Sequence, residues 1–434
     1  MKIKNFFTNY LIVLILSIFL FCFFFIFNFI EPDYILCNEL VVYNIETFNN
    51  SFNIQYPKSC DQDFYHQGFT KFLNIFLEDY NYQARPLFIL SVNLVFQFFD
   101  NFNINQTLNA LISTFLIQNL ISLIVVSLIS LSRNENTKLS ITNQIILTSI
   151  IVFSPLFKWG IFDPSHQLLT VVVIIFYPYL LSKNININVK SSIYIGLLFL
   201  LHRSFLIGFL WYLFFSDHKN IFINFKDKIF KFLSSLAPYF MYNFGIYLFL
   251  GQMPYDANST YWGQFVWLYD FIRGKIRYES EWHCVTVPQN FICYFNDNIE
   301  TLIYLSIPLF ILLVNHFLGK NKISFQYKSF TYYLMSLSIF IYVFWSFIGW
   351  YPPIRFSYYS VGNLIIILLA LQFIELENFT IRFLSLTSYL TYTLFLNHWN
   401  DPNVVAYNVG IYVSLFFLII LFLYSISKYK QLKN

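Results

Sequence analysis

Apolar runs of the length a helix needs to cross a bilayer, about 20 residues for ~30 Å of hydrocarbon, recur along this chain with almost no charge inside them. The first is Tyr10–Ile30. Others lie near 106–131, 141–160, 167–182, 232–250, 299–317, 329–349, 361–374, 383–396 and 404–426. Composition agrees: 57% of the 434 residues are hydrophobic and only 11% are charged, against about a quarter charged in soluble domains. So few charges cannot clothe a water-soluble globule of this size, and a chain that is 22% aromatic is not a disordered one. The expected fold is an all-α polytopic membrane protein of about 10–12 transmembrane helices. It forms a single integral membrane domain, 1–434, with two large outer segments at 31–105 and 251–298. The formal charge of +4 is spread without a basic block, so no nucleic-acid partner is expected.

Orientation follows from the positive-inside rule. Lys2 and Lys4 precede the first run, which has no small-residue cleavage site after it and reads as a retained anchor with a cytoplasmic N-terminus. The stretch Ser191–Phe215 is apolar but interrupted at His202-Arg203-Ser204. Read as a hairpin returning to its starting side, it leaves the Lys/Arg-bearing loops 216–231, 318–328, 375–382 and 427–434 cytoplasmic. Read as one straight span, it inverts everything downstream. The charge bias favours the hairpin, with both termini cytoplasmic and the acids gathered outside. Each arm is then too short to cross, and the tip sits at membrane depth, where irregular backbone is tolerated only against protein or a cavity. The expected location is the plasma (inner) membrane, multi-pass. Cys37 with Cys60 and Cys284 with Cys293 fall as pairs in the outer segments, which suits disulfides in an oxidising compartment. Cys22, within the first run, reads as packing.

Candidate chemistry gathers at the outer rim. Asp33 and Glu39 follow the first span closely enough for the membrane to fix their height, where a carboxylate can serve as general base for an acceptor. Asp61 and Asp63 have the oxygen-ligand character of a divalent-cation site for magnesium or manganese, although two acids alone also read as solvated loop charges. Arg85-Pro86-Leu87 opens an apolar stretch ending near Phe99, too short to span. It reads as an interfacial amphipathic helix with Pro86 in its first turn and Arg85 at the membrane surface, where a guanidinium can grip phosphate or simply anchor the helix. Asp163 and His166 share a short outer turn. His202 and Arg203 stand at the broken hairpin, and a charge at that depth faces a cavity or partner, or snorkels to the interface. Arg355 is the one charge in the aromatic turn Trp350–Tyr359, whose rings suit either an interfacial belt or sugar stacking. Among these, Asp33 and Glu39 are the catalytic candidates, and Asp61, Asp63, Arg85, Asp163, His166, His202, Arg203 and Arg355 the substrate-binding ones.

In order and position these parts resemble the GT-C superfamily of membrane glycosyltransferases. Asp33 and Glu39 stand where that superfamily carries an acidic element after its first span. Arg85-Pro86-Leu87 is similar to its Arg-Pro-Leu juxtamembrane element, and Ile195–Ser204 to an apolar stretch closed by a basic residue. Arg355-Phe356 departs from a late Arg-Tyr element by Phe for Tyr, and Asn38-Glu39 stands in place of an adjacent Asp-Glu pair. The resemblance covers roughly residues 1–370. It implies juxtamembrane helices in the first outer loop and transfer of a sugar from a polyprenyl-phosphate donor to a glycan, lipid or protein acceptor at the outer, periplasmic face. Membrane lipid is then a partner too. Two rival readings are a Wzy-type polysaccharide polymerase or ligase, which would depend on Arg273 and Arg277, and a lipid-linked substrate transporter, which would carry inverted repeats or several charged spans. Rossmann and P-loop glycine fingerprints are absent from the sequence.

Overall fold

Local sequence sets some of the helix ends. A computed structural model describes residues 3–27, 40–47, 50–57, 68–73, 85–102, 104, 106–132, 139–154, 157, 168–216, 224–251, 305–318, 328–348, 358–376, 378–395 and 404–433. The elements are α1 (Ile3–Phe27), β1 (Leu40–Thr47), β2 (Asn50–Pro57), α2 (Pro86–Asp100), α3 (Gln106–Leu131), α4 (Ile141–Val152), α5 (Leu169–Ser182), α6 (Val189–Phe199) and α7 (Ser204–Phe215). They continue with α8 (Phe225–Leu250), α9 (Ser306–Leu318), α10 (Lys328–Ile348), α11 (Asn363–Glu375), α12 (Phe379–Phe395) and α13 (Val404–Lys433). Ser140 caps α4 by accepting from Asn143 N–H at 3.2 Å, and Asn188 caps α6 by accepting from Ser191 N–H at 2.8 Å. Gly251, in the left-handed region at φ 68°, closes α8.

The protein is thus helical, with one addition to the all-α expectation. β1 and β2 form an antiparallel hairpin inside the first large loop, pairing Val41 with Tyr56, Tyr43 with Ile54 and Ile45 with Phe52. Among the described residues one helical stretch, Leu108–Leu131 in α3, is long and apolar enough to cross a membrane by length and composition. The other apolar stretches described run 10–17 residues. Cys22 corrects its expectation: it is exposed, not packed.

The core centres on α5, where Val171, Val173, Ile174, Ile175 and Tyr177 are fully buried or nearly so. Around it pack α3, α7 and α10, while α4 lies against α11 and α12 pairs with α13. Buried polar groups tie these helices crosswise. Tyr389 Oη donates to Ile150 O at 2.8 Å, Gln372 Nε2 to Leu312 O at 3.1 Å, and Ser385 Oγ to Asn315 Oδ1 at 2.9 Å. Arg382 bonds Asn143, which brings the start of α12 to the start of α4.

The interrupted stretch folds back on itself. Tyr212, near the end of α7, donates to Ile185 O at 2.8 Å and accepts from Ile187 N–H at 3.2 Å, so α7 ends where the segment leading into α6 begins. The arms have 11 and 12 residues, or about 17 Å each, roughly half a hydrocarbon core. Two glycines let the arms seat. A Cβ at Gly208 would overlap the Tyr177 ring, itself pinned by Tyr177 Oη donating to Phe205 O at 2.7 Å. A Cβ at Gly196 would overlap the backbone carbonyl of Ser235 in α8.

These contacts predict a sharp contrast among helix glycines. Gly208→Val and Gly196→Ala should each destabilise the detergent-solubilised chain by about 1–3 kcal/mol through overpacking. Gly245, where an added methyl would meet nothing within 4 Å, should gain up to about 1 kcal/mol as Ala. Thermal unfolding of the three variants checks this, and equal shifts would contradict the packing described.

Candidate functional site

The site is built where the start of α2 meets the break between α6 and α7. Pro86 occupies the first turn of α2, where its missing N–H costs nothing. The helix then turns Phe88, Ile89, Val92, Asn93 and Phe96 into the protein. Asn93 Nδ2 donates to Phe69 O at 2.6 Å, and the Phe69 and Phe88 rings meet edge to face at 6.2 Å. Deepest in the junction, Leu87 N–H donates to Leu200 O at 3.2 Å. One of the orphan N–H groups of a helix start is thereby matched to a carbonyl released by the end of another helix. One face of α2 is thus covered by protein while Leu94 and Phe98 on the other stay exposed, and Arg85 is half-buried with a buried Nε.

Across the break the backbone makes tight turns. His202 N–H donates to Leu198 O at 3.0 Å, Phe205 N–H to His202 O at 3.1 Å and Leu206 N–H to Arg203 O at 3.0 Å. His202 is 6% exposed, and its Nδ1 accepts from Ser204 N–H at 3.1 Å. The ring therefore caps α7 in the manner of an Asn or Asp side chain. With Nδ1 committed as acceptor, the proton of the neutral imidazole sits on Nε2. Arg203 follows His202 in the chain, and the Leu87–Leu200 bond brings the start of α2, which Arg85 precedes, to the same break. Nε of Arg203 is buried, as is that of Arg85.

Two positive helix ends, the starts of α2 and α7, converge here with two arginines and an Nε2–H donor. Each element favours a negative group. A guanidinium pair of this kind matches the oxygens of a phosphate or diphosphate.

Of the residues singled out in the sequence, the structure brings together Arg85, His202 and Arg203. Asp33, Glu39, Asp61, Asp63, Asp163, His166 and Arg355 lie outside the described residues, as do Cys37, Cys60, Cys284 and Cys293. β1, which starts at the residue after Glu39, packs against α3, and α3 is joined to α2 by Asn109 Nδ2 donating to Phe96 O at 3.0 Å. Among the described residues no group of three or more His, Cys, Asp or Glu gathers. Leu87 and Leu200 carry no signal in the sequence because their contact is made by backbone atoms. Comparison with protein-family models, curated proteins and solved structures gave no match.

The capping role of His202 has a direct test. His202→Ala should loosen the first turn of α7 by about 1 kcal/mol, seen as roughly fivefold faster amide hydrogen exchange at Ser204 and Phe205. His202→Asn, whose Oδ1 can accept the same N–H, should restore protection. Equal exchange in all three proteins would contradict the cap.

Proposed function

We propose that this protein is a membrane glycosyltransferase of GT-C-like architecture. It transfers a sugar from a polyprenyl-phosphate-linked donor to a glycan, lipid or protein acceptor at the outer face of the plasma membrane. The observation that carries the reading is the junction of Arg85 with His202 and Arg203, brought about by the Leu87–Leu200 backbone bond. Elements distant in the chain supply one basic niche at the tip of a half-length helical hairpin, a place suited to the phosphate of a lipid whose tail stays in hydrocarbon. Outward-facing apolar side chains on the peripheral helices support immersion in lipid: Phe240, Met241 and Phe249 on α8, and Phe416 and Leu423 on α13, are all more than half exposed. In this reading the chain is multi-pass, with cytoplasmic termini.

The chemistry is a direct displacement at the anomeric carbon. Asp33 or Glu39 takes the proton of the acceptor hydroxyl or amine as its oxygen or nitrogen bonds to the anomeric carbon. The bond from that carbon to the phosphate oxygen breaks, and the electron pair leaves with the phosphate. Arg85 and Arg203 hold the charge that accumulates there. Arg355, from the late aromatic turn, is assigned to the same anionic group, while Asp61, Asp63, Asp163 and His166 are assigned to the sugar, the acceptor or a divalent cation such as magnesium or manganese.

Membrane vesicles supplied with a panel of radiolabelled polyprenyl-phosphate-linked hexoses and pentoses test this whatever the acceptor in those membranes. Release of polyprenyl phosphate should depend on the protein. It should fall at least a hundredfold in Arg203→Ala and Arg85→Ala, since each removes a charge-assisted contact strengthened in the transition state (about 3 kcal/mol). Asp33→Asn and Glu39→Gln should between them abolish release with membrane insertion unchanged. Full activity in both acid variants would overturn the mechanism. Loss only in Arg273 and Arg277 variants would favour a polymerase.

A further inference from the structure

We infer that the joined starts of α4 and α12 form a binding site for the phosphate of an anionic phospholipid, with the Arg382 guanidinium as its main contact. The inference rests on the membrane-embedded reading above and not on sugar transfer. Arg382 is half-buried, and its side chain bonds from Nη2 to Oδ1 of Asn143, a neutral acceptor. It forms no ion pair among the described residues. The contact with Asn143 therefore orients the guanidinium and leaves its charge uncompensated. Nε is buried without an acceptor, so an anion arriving from outside meets the Nη edge. A cation held partly out of water calls for an anionic partner, and a guanidinium is well matched to phosphate oxygens.

The backbone adds charge of the same sign. Ser140 Oγ accepts from Asn143 N–H at 3.2 Å, the third N–H of α4, and Asn378 Oδ1 accepts from Ile381 N–H at 3.1 Å, the third of α12. Each cap leaves the first two N–H groups of its helix without an intrahelical acceptor. The bond between Arg382 and Asn143 brings these two positive helix ends together. The same turns are apolar on their outer side. Phe379 and Phe383, stacked at 6.2 Å, are exposed on α12, and Ile141 and Ile145 are exposed on α4. A cationic centre among outward apolar side chains fits a molecule that carries a phosphate next to acyl chains. Free phosphate would use only the first of these features, and a neutral lipid only the second. In the orientation proposed, 375–382 lies at the cytoplasmic face, so the ligand belongs to the inner leaflet, where anionic lipids gather against basic positions.

The test uses the full chain in neutral detergent, with phosphatidylglycerol, phosphatidylcholine and inorganic phosphate as probes. Saturable rise of the apparent unfolding temperature reports binding. The wild-type chain should respond to phosphatidylglycerol, and not to the other two at the same concentrations. In Arg382→Gln the midpoint of the response should move about tenfold to higher concentration, the order expected for one lost contact to a charged group. Asn143→Asp keeps the guanidinium and gives it an internal carboxylate. It should unfold no lower than wild type without lipid and lose the tight response to phosphatidylglycerol, and it decides the matter where Arg382→Gln fails to fold. A wild-type response in Asn143→Asp, or in folded Arg382→Gln, would overturn the site. Phosphatidylcholine or inorganic phosphate binding as tightly as phosphatidylglycerol would overturn the anionic lipid as occupant. The expected pattern in a chain that proves to transfer no sugar would support the inference while the transferase reading fails. A chain that stays monodisperse without detergent would remove the membrane reading and the inference with it.

Discussion

A single backbone hydrogen bond, Leu87 N–H to Leu200 O, joins the two parts of this molecule on which the proposed chemistry depends. Helix ends expose donors at their starts and acceptors at their finishes, and away from water those groups must find partners. Here α6 stops after 11 residues and the chain turns back as α7, a break that leaves polar backbone inside an apolar bundle. The start of α2 answers it. Because α2 enters with its N-terminus leading, the residue before it, Arg85, is carried to the same point. The basic niche is in this sense a by-product of satisfying the backbone.

The rest of the fold serves to hold that junction rigid. Tyr177 and Tyr212 each pin the hairpin by a hydroxyl, one to Phe205 O beside the break and the other across Ile185 and Ile187 at the open end. Phe199 meets Phe209 at a tilt of 48°, and Phe209 stacks with Tyr212, the rings nearly parallel at 9°. Trp211 Nε1 donates to Ser336 Oγ at 3.2 Å and so fastens α7 to α10. Aromatic rings of this size give large dispersion contacts with few rotamers to fix, which explains how a chain so rich in Phe and Tyr keeps a short hairpin in place. The cost of seating it falls on Gly196 and Gly208, where no side chain fits.

Much of this is legible in the sequence, and what is not has a physical reason. The extent of α3 and the interruption at His202-Arg203-Ser204 can be read because hydropathy changes abruptly there; Pro86 marks the start of α2 because proline is at home in a first helical turn. The fold-back of α6 and α7 is legible through the charge of the loops that follow. The meeting of Arg85 with Arg203 is not, since it is made by backbone groups far apart in the chain and leaves no pattern in either segment. What α2 packs against is hidden for a related reason: a 15-residue apolar helix has the same periodicity whatever its apolar face meets. The β1–β2 hairpin goes unread in an all-α expectation although its signal is present. Phe52, Ile54 and Tyr56 alternate with Ser51, Asn53 and Gln55, a short-period pattern easily hidden between long helical ones.

The basic niche exists only if the start of α2 touches the break after α6. The most direct measurement of that contact is disulfide trapping in native membranes of a Leu87→Cys, Leu200→Cys pair, in a chain carrying an engineered protease site within 133–138. After mild oxidation and cleavage, the two fragments should remain joined on a non-reducing gel and separate on reduction, while a Leu87→Cys, Phe249→Cys control should yield separate fragments. Free fragments from the Leu87–Leu200 pair, under conditions that leave the protein folded, would contradict the junction and the basic niche built upon it.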